Sequence, residues 1–192
     1  VIPIELELLS QESIKEAFRI ATSEFGRVNV LINNAATALV KPAVDVTWDD
    51  WDTVVNANLK GSYFLSSQFA KCCIETNKSG SIVNIASTHG LLGFAGRSVY
   101  GTSKGGMIQM TRMLALEWAE NNIRVNTISP GTIMTDSRQQ SLNKEAQLKM
   151  LKRIPYGRFP EEKDISEAVI YLIGAKNVTG QNIIIDGGMS AT

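Results

Sequence analysis

Apolar and polar residues are arranged along the chain in two patterns, and together they predict an α/β protein. Alternation of apolar and polar residues, or a short continuous apolar run, indicates a strand. Apolar residues that recur every three or four positions indicate a helix with one buried face. By these criteria the predicted strands are Val1–Leu8, Val28–Asn33, Ser81–Ala86, Arg124–Ile128 and Asn182–Asp186.

Helices are predicted between these strands, several with recognisable ends. Ser10 is a candidate N-cap and Gly26 a candidate stop for the first helix. The segment Thr47–Asp50 resembles a capping box at the start of the second, which we expect to break near Gly61. The predicted helices are Ser10–Phe25, Thr47–Thr76, Tyr100–Glu120, Asn143–Lys152 and Glu161–Gly174.

The regular alternation of strands and helices predicts the fold class. Strands separated by helices form parallel sheets that are covered by helices on both faces. We therefore expect an α/β, doubly wound, Rossmann-like sheet in three layers, formed as a single domain over residues 1–192. The sequence lacks the glycine-rich turn after a first strand that binds the phosphates of a dinucleotide in such folds.

Composition and charge narrow the range of partners. The chain carries 19 basic and 19 acidic residues, so no excess charge suggests a nucleic-acid partner. No apolar run approaches the ~18 residues that would suggest a membrane span. Cys72 and Cys73 are adjacent and make a poor disulfide framework, which favours reduced thiols in a cytoplasmic protein. The lone His89 argues against a metal site.

The segment from Ser87 to Lys104 carries the candidate chemistry. Ser87 follows a predicted buried strand, and a loop containing three glycines leads from it to the next helix. Tyr100 and Lys104 are four residues apart, so on a helix they share one face. The sequence thus predicts that a hydroxyl group, a phenol and an ammonium group converge.

These three groups suit proton exchange with an alcohol or a carbonyl group. A free tyrosine titrates near pH 10, too high for an efficient base at neutral pH. An ammonium group at about 4 Å stabilises a phenolate by roughly 4 kcal/mol at an effective dielectric of ~20, although burial opposes this. Ser87 can donate a hydrogen bond to the substrate oxygen as negative charge develops there.

The order and spacing of five motifs resemble the short-chain dehydrogenase/reductase family, from about Val1 to Gly188. The similarity is to its 3-oxoacyl-reductase and sugar (gluconate, glucose) dehydrogenase-like members. The motifs are Asn33-Asn34-Ala35-Ala36, Asn56-Ala-Asn58-Leu-Lys-Gly61, Ser87, Tyr100-Gly-Thr-Ser-Lys104 and Arg124-Val-Asn-Thr-Ile-Ser-Pro130-Gly131.

The resemblance implies catalytic roles for four residues. Tyr100 would be the general acid/base, and Lys104 would lower its pKa and hold the nicotinamide ribose. Ser87 would orient the substrate, and Asn58 would anchor a proton-relay water. The implied cofactor is NAD or NADP, and the residues that choose between them are not in this sequence.

The resemblance also implies a set of cofactor-binding residues, which includes Tyr100 and Lys104. Glu7 lies where the family often has an acid or amide near the adenine, although it could equally be an exposed strand residue. Ala36 replaces the family's usual glycine, a small departure. The other implied cofactor-binding residues are Asn34, Ala35, Pro130, Gly131, Ile133 and Thr135.

Three further expectations concern the surroundings of the site. Apolar residues cover most of the circumference of the helix that starts at Tyr100, so one face is either deeply buried or packs against another copy, as in the family's dimers and tetramers. Residues 136–153 are polar and would form a lid over the substrate. His89 and Phe94 either shape substrate access or are loop residues without chemistry.

We therefore predict an NAD(P)-dependent oxidoreductase that interconverts a secondary alcohol and a ketone. The alternatives are a truncated or non-catalytic relative that binds nucleotide or partner subunits, and an epimerase or dehydratase that uses the same Tyr-Lys pair. In the family's order, Val1–Leu8 would be the third strand, separated from Val28–Asn33 by a gap of roughly 14 Å. We accordingly expect some fifty residues to precede Val1.

Overall fold

The computed structural model describes residues 1–135 and 143–191. In these residues four strands form one parallel sheet in the order β1-β2-β3-β4. The strands are β1 (Val30–Asn33), β2 (Gly80–Ile85), β3 (Ile123–Pro130) and β4 (Asn182–Ile185). The predicted parallel α/β arrangement is confirmed.

The α-helices of the described residues flank this sheet. Their ends follow the sequence signals: the Ser10 side chain accepts a hydrogen bond from Ser13 N, and Gly26 ends the first helix. Thr47 and Asp50 form the predicted capping box. The helices are α1 (Gln11–Phe25), α2 (Trp48–Val55), α3 (Gly61–Glu75), α4 (Ser98–Glu117), α5 (Lys144–Leu151) and α6 (Glu162–Gly174).

Adjacent residues of β2 divide the core into two halves. Ile82 points into a cluster formed with α1, α3 and α4, whereas Val83 points to the opposite face. There it packs with Ile128 and with Leu172 of α6. Helices therefore cover both faces of the sheet, and the predicted three-layer, doubly wound fold is confirmed.

The prediction of a strand at Val1–Leu8 is wrong. Residues 1–9 contain no strand, and their local bonding is a turn in which Ser10 N donates to the Glu7 carbonyl oxygen. Alternation creates one apolar face, but a strand also requires a neighbour for its backbone groups. Here Leu8 packs against the α1–α3 side of the core instead.

The break in the second predicted helix is real, but it has a specific form. Residues Asn56–Lys60 form a π-helical turn between α2 and α3. Such turns insert one extra residue into a helix and are frequent at functional sites. Asn58, the family's implied site residue, lies in the middle of this turn.

Candidate active site

The candidate site lies at the edge of the sheet where the parallel strands end. Asn33, Ile85 and Pro130 are the last residues of three neighbouring strands, and the segments after them carry almost all of the predicted site residues. Ligands bind at this edge in open α/β sheets because the strand ends and the following loops form a crevice there.

Two glycines bring the loop after β2 onto α4. A Cβ at Gly90 would lie 2.7 Å from the backbone carbonyl carbon of Lys104, and one at Gly101 would lie 2.8 Å from the carbonyl oxygen of His89. Real Cβ atoms do not approach backbone atoms this closely. The Ser87 loop therefore rests directly on the first turns of α4 because both contact points lack side chains.

Ser87 is buried and makes two contacts with the residue two positions further on. Its hydroxyl accepts a hydrogen bond from His89 N at 3.2 Å and caps the turn Thr88–Gly90. The same hydroxyl lies 3.1 Å from His89 Nδ1. The imidazole in turn packs edge-on against Tyr100, with ring centroids 5.6 Å apart. Ser87 and Tyr100 are thereby linked through one ring.

Lys104 is almost completely buried below Tyr100. Its Nζ lies 5.9 Å from the centroid of the Tyr100 ring and donates a hydrogen bond to the Ile85 carbonyl oxygen at 2.7 Å. Burial lowers the pKa of the Lys104 ammonium to about 8. An ammonium group has three N–H donors, and the Ile85 carbonyl uses one of them. The structure thus brings Ser87, Tyr100 and Lys104 together.

Asn58 connects the loop after β1 with α4 through side-chain hydrogen bonds. Its side chain is fully buried, and its Oδ1 accepts a hydrogen bond from Thr37 N at 2.7 Å. Its Nδ2 donates to the Thr37 carbonyl oxygen at 2.9 Å and to Ser103 Oγ at 3.0 Å. Asn58 therefore fixes the loop after β1 against α4.

Most of the predicted cofactor-binding residues lie on the loops after β1 and β3. Asn34 and Ala35 are exposed on the loop that Asn58 holds at Thr37. In the loop after β3, Gly131 N donates to the Ile185 carbonyl oxygen at 2.8 Å, and Pro130 is buried. Ile133 and Thr135 line a cleft of about 580 Å³ together with Met134 and residues 158–163.

Glu7 is placed differently from the other predicted residues. It lies in the turn before α1, where its carboxylate accepts a hydrogen bond from Leu9 N at 3.0 Å. Its backbone N donates to Ser13 Oγ at 2.9 Å. These contacts give Glu7 a local role at the start of α1, and its predicted role near the adenine stays a prediction.

Sequence reasoning missed a buried polar ladder that crosses three strands. Asn33, Asn84 and Thr127 occupy matched register positions on β1, β2 and β3. Asn33 Nδ2 donates to Asn84 Oδ1 at 2.7 Å and to Ser66 Oγ at 2.8 Å. Asn84 Nδ2 and Thr127 Oγ1 both donate to Thr111 Oγ1 on α4. The signal in the sequence that could have revealed this ladder is the presence of a polar residue in each of three buried strands.

The predicted lid falls only partly within the described residues. Residues 136–142 lie outside them, and residues 144–151 form α5. Arg153 follows this helix, and its guanidinium lies 4.9 Å from the centroid of the Phe94 ring. Phe94 belongs to the loop that carries Ser87, so the segment after α5 contacts the candidate site.

Within residues 1–135 and 143–191, no group of three or more His, Cys, Asp or Glu side chains could hold a metal ion. None of the helices in the same ranges combines the length and the apolar character that crossing a membrane requires.

Comparison with known proteins decides the family. A family model described as enoyl-(acyl carrier protein) reductase matches residues 1–190. The chain is 37% identical to a 3-oxoacyl-[acyl-carrier-protein] reductase of Thermotoga maritima over 97% of its own length and 76% of the relative's. The chain belongs to the short-chain dehydrogenase/reductase family. The resemblance inferred from the five motifs is confirmed.

Two other members of the family illustrate its range. The 2-dehydro-3-deoxy-D-gluconate 5-dehydrogenase of Escherichia coli is 36% identical over 89% of this chain and 69% of that protein. The structure of a 4-hydroxyisoleucine dehydrogenase complexed with NADH superimposes with a TM-score of 0.90 at 33% identity. That match covers 97% of this chain and 78% of the other. This short-chain dehydrogenase/reductase is accordingly an NAD(P)-dependent enzyme.

The described residues fit the nicotinamide half of such a cofactor. Lys104 is a buried ammonium group with two N–H donors beyond the one bonded to Ile85, which suits the hydroxyl groups of a ribose. The cleft beside Ile133 and Thr135 offers room next to the end of β3. When bound, the cofactor supplies hydride transfer, and the protein supplies binding, orientation and electrostatics.

Proposed function

We propose that this short-chain dehydrogenase/reductase interconverts a secondary alcohol and a ketone, with Tyr100 as the general acid/base. The observation that carries the proposal is the contiguous arrangement of Ser87, His89, Tyr100 and Lys104 at the carboxyl edge of the sheet. A hydroxyl group, a phenol and a buried ammonium group at one edge of the sheet are the components needed to move a proton at a substrate oxygen.

Each residue has a distinct part in the proposed chemistry. Tyr100 Oη gives a proton to the ketone oxygen during reduction and takes it back during oxidation. The Lys104 ammonium, whose Nζ lies 5.9 Å from the centroid of the Tyr100 ring, favours the phenolate form of Tyr100. Ser87 Oγ donates a hydrogen bond to the same substrate oxygen. Asn58 positions the loop after β1 and the start of α4.

The names of the relatives support this reaction class. One is a reductase of 3-oxoacyl-[acyl-carrier-protein], and another is a dehydrogenase of 2-dehydro-3-deoxy-D-gluconate. Both names describe redox chemistry between an oxo group and a hydroxyl group. We propose a small-molecule substrate of this kind, since the site is a cleft between loops at the strand ends.

Replacement of Tyr100 by Phe tests the proposal. In the full-length protein, Tyr100→Phe removes only the phenolic oxygen, so kcat should fall by about 10²–10⁴-fold, the usual contribution of general acid/base catalysis. Turnover is followed by absorbance of the reduced nicotinamide in a screen of ketones and secondary alcohols. Binding of the reduced cofactor, measured by its fluorescence, should remain.

Tyr171→Phe on α6 is the matched control because Tyr171 is exposed and outside the site. It should keep the parent's kcat. If Tyr100→Phe retains more than a tenth of the parent's kcat, Tyr100 is not the acid/base. If the parent binds cofactor and turns over no carbonyl compound or alcohol, the alternative of a non-catalytic nucleotide-binding relative is favoured.

We also propose that the protein works as a homo-oligomer in a reducing compartment such as the cytoplasm. A groove between α3 and α4 is almost entirely apolar, and Phe64, Met113 and Leu116 expose more than half of their surfaces there or beside it. Such a patch favours a second copy as its cover. Cys72 and Cys73 are both free thiols.

Sedimentation measurements test the oligomer. The parent should be a dimer or a tetramer, and Met113→Glu should shift it towards smaller species because it places a charge in the groove. A monomeric parent at micromolar concentration would contradict this part of the proposal.

A further inference from the structure

A row of three rings leads away from the proposed proton donor along the loop after β2. Tyr100 meets the His89 ring edge-on, with centroids 5.6 Å apart, and His89 stacks on Phe94 with centroids 4.2 Å apart. All three side chains are partly exposed, so together they form one accessible wall of the candidate site. The far end of this wall is charged, because the guanidinium of Arg153 lies 4.9 Å from the centroid of the Phe94 ring.

The backbone that carries Arg153 is anchored by its neighbours. Arg153 N donates to the Met150 carbonyl oxygen at 3.1 Å, just after the end of α5. The next residue, Ile154, is buried, and a Cβ at Gly187 would lie only 2.5 Å from its Cγ2 atom. The guanidinium therefore projects from a packed segment, and its contact with Phe94 directs it along the wall.

Arg153 has no acidic partner in the described part of the chain. The nearby Arg158 is neutralised by Asp164, whose carboxylate lies 2.9 Å from the guanidinium. No comparable ion pair includes Arg153 within residues 1–135 and 143–191. The Phe94 ring attracts the positive charge but supplies no oxygen that could accept a hydrogen bond from the guanidinium N–H groups. These N–H groups are therefore available to a ligand.

The segment around Arg153 is basic although the whole chain is neutral. Residues 143–160 contain five basic residues and one acidic residue, whereas the full sequence has 19 of each. The facing loop, residues 87–97, contains no acidic residue. By contrast, two acidic and two basic residues line the cleft beside Ile133. A local excess of positive charge attracts anions, so a negatively charged part of a ligand is favoured at Arg153.

We propose that Arg153 binds an oxyanion of the substrate, a carboxylate or a phosphate, at the opposite end of the wall from Tyr100. This inference rests on the proposed function, in which Tyr100 exchanges a proton with the substrate oxygen. The substrate is then an oxo acid or an oxo phosphate ester whose chain lies along His89 and Phe94. A guanidinium suits this role because its planar fork donates two parallel hydrogen bonds to a carboxylate or a phosphate.

Pairs of charged and neutral ketones test this inference. The oxo acids from 3-oxobutanoate to 6-oxoheptanoate place the carboxylate at increasing distances from the ketone, and their methyl esters lack the charge. Hydroxyacetone phosphate and hydroxyacetone form the corresponding phosphate pair. With the parent full-length protein, the best charged substrate should exceed its neutral counterpart in kcat/KM by about tenfold or more, the size of one charge-assisted hydrogen bond. The two kinds of pair show which oxyanion is preferred.

A parent enzyme without this preference would contradict the inference. That outcome includes equal kcat/KM values within every pair, higher values for the neutral members, and turnover of uncharged carbonyl compounds only. In each of these cases the oxidoreductase proposed above would stand, and the role of Arg153 would not.

Arg153→Gln should remove the preference through KM. The oxyanion lies away from the reacting carbon, so its interaction is the same in the bound substrate and in the transition state. KM for the charged substrate should therefore rise by about tenfold while kcat changes little, and the neutral counterpart should keep its kcat/KM. Lys152→Gln is the matched control because it removes the same charge from an exposed neighbour, and it should preserve the preference. Arg153→Lys, which keeps the charge but not the fork, should retain part of it.

The kinetics of Arg153→Gln also separate substrate binding from two other roles. If Arg153 only held the segment after α5 against Phe94, kcat/KM would fall equally for charged and neutral substrates. If Arg153 bound the cofactor instead, the Kd of the reduced nicotinamide, measured by its fluorescence, would rise while the preference remained. Either result would overturn the inference.

A binding measurement decides the question without turnover. In the ¹⁵N-labelled full-length protein with reduced cofactor, Arg153→Lys identifies the Nε–H signal of Arg153 by its loss. This signal should shift on titration with pentanoate or inorganic phosphate and should not shift with pentanamide. If the parent turned over no carbonyl compound or alcohol, the proposed function would fail, and this titration would still test the oxyanion site. No shift with either anion would overturn the inference.

Discussion

Two groups of buried polar side chains use their hydrogen-bonding capacity to different extents. One is the ladder that crosses β2 at Asn84, and the other is the candidate site around Lys104 and the residues just after β2. In the ladder of Asn33, Asn84 and Thr127, each side chain bonds to another member or to Thr111. At the candidate site a few residues further on, Lys104 uses one of its three N–H donors. Thr88 Oγ1, beside Ser87, is buried without a partner in the described structure.

This difference in filled hydrogen-bonding capacity distinguishes residues that stabilise the fold from residues that can bind a ligand. Buried polar groups that are fully bonded fix the register of strands and helices, and buried groups with spare capacity cost stability. The ladder ties β1, β2 and β3 to α4, whereas the site retains donors that a ligand can use. The following variants measure that difference, starting from the largest expected effect.

Lys104→Met should raise the free energy of unfolding and abolish turnover. Burial lowers the pKa of Lys104 from its ordinary value of 10.5 to about 8, so between these pH values the native state binds fewer protons than the unfolded chain. The contribution of this lysine to stability therefore rises with pH through that window. At pH 7 the variant should be more stable by about 2–3 kcal/mol, after allowance for the lost bond to Ile85.

Urea unfolding at pH 7, 9 and 10.5 checks this expectation. The advantage of Lys104→Met should shrink as the pH approaches 10.5, and turnover should be lost at every pH. Lys78→Met, a substitution of an exposed lysine, is the control and should not reproduce the trend. An advantage that does not depend on pH would show that the buried charge does not limit stability.

Thr111→Val should destabilise the protein without touching the chemistry. Thr111 is buried, and its hydroxyl accepts hydrogen bonds from Asn84 and Thr127 while donating to the Met107 carbonyl. Removing it leaves two buried donors unpaired and should cost about 2 kcal/mol of unfolding free energy. Thr111→Ser keeps the hydroxyl and is the matched control in urea unfolding. Equal stability of the two variants would contradict a structural role for the ladder.

Ser81→Ala should change the free energy of unfolding least of the three variants, and it should stabilise the protein, whereas Thr111→Val destabilises it. Ser81 Oγ is buried on β2 and has no hydrogen-bond partner among residues 1–135 and 143–191. Removing an unsatisfied hydroxyl should raise the free energy of unfolding by about 1 kcal/mol and leave kcat unchanged. Thermal unfolding followed by circular dichroism measures the change, and a loss of stability would indicate that Ser81 makes a bond absent from this description.

Local signals predicted much of the fold and of the site. The capping box at Thr47 and the helix stop at Gly26 were correct because caps depend on residues close in sequence. The shared face of Tyr100 and Lys104 follows from helical geometry alone. The five motifs were sufficient to identify the family.

Features that depend on distant partners could not be predicted in this way. The strand at Val1–Leu8 was wrong because alternation does not supply a neighbouring strand. The π turn around Asn58 coincides with bonds to Thr37 and Ser103, which are 21 and 45 residues away. The ladder required the register of three strands, and no single strand reveals that register.

The α/β order of elements, the family and the identity of the candidate catalytic groups could be read from residues close together in the chain, because periodicity, caps and motif spacing are local properties. How those groups are used depends on the folded molecule. Folding buried Lys104 so that its charge is costly, stacked His89 between Phe94 and Tyr100, and joined Asn58 to two separate segments. Burial, stacking and register arise only when distant segments pack together, because desolvation and hydrogen-bond partners are properties of the assembled chain.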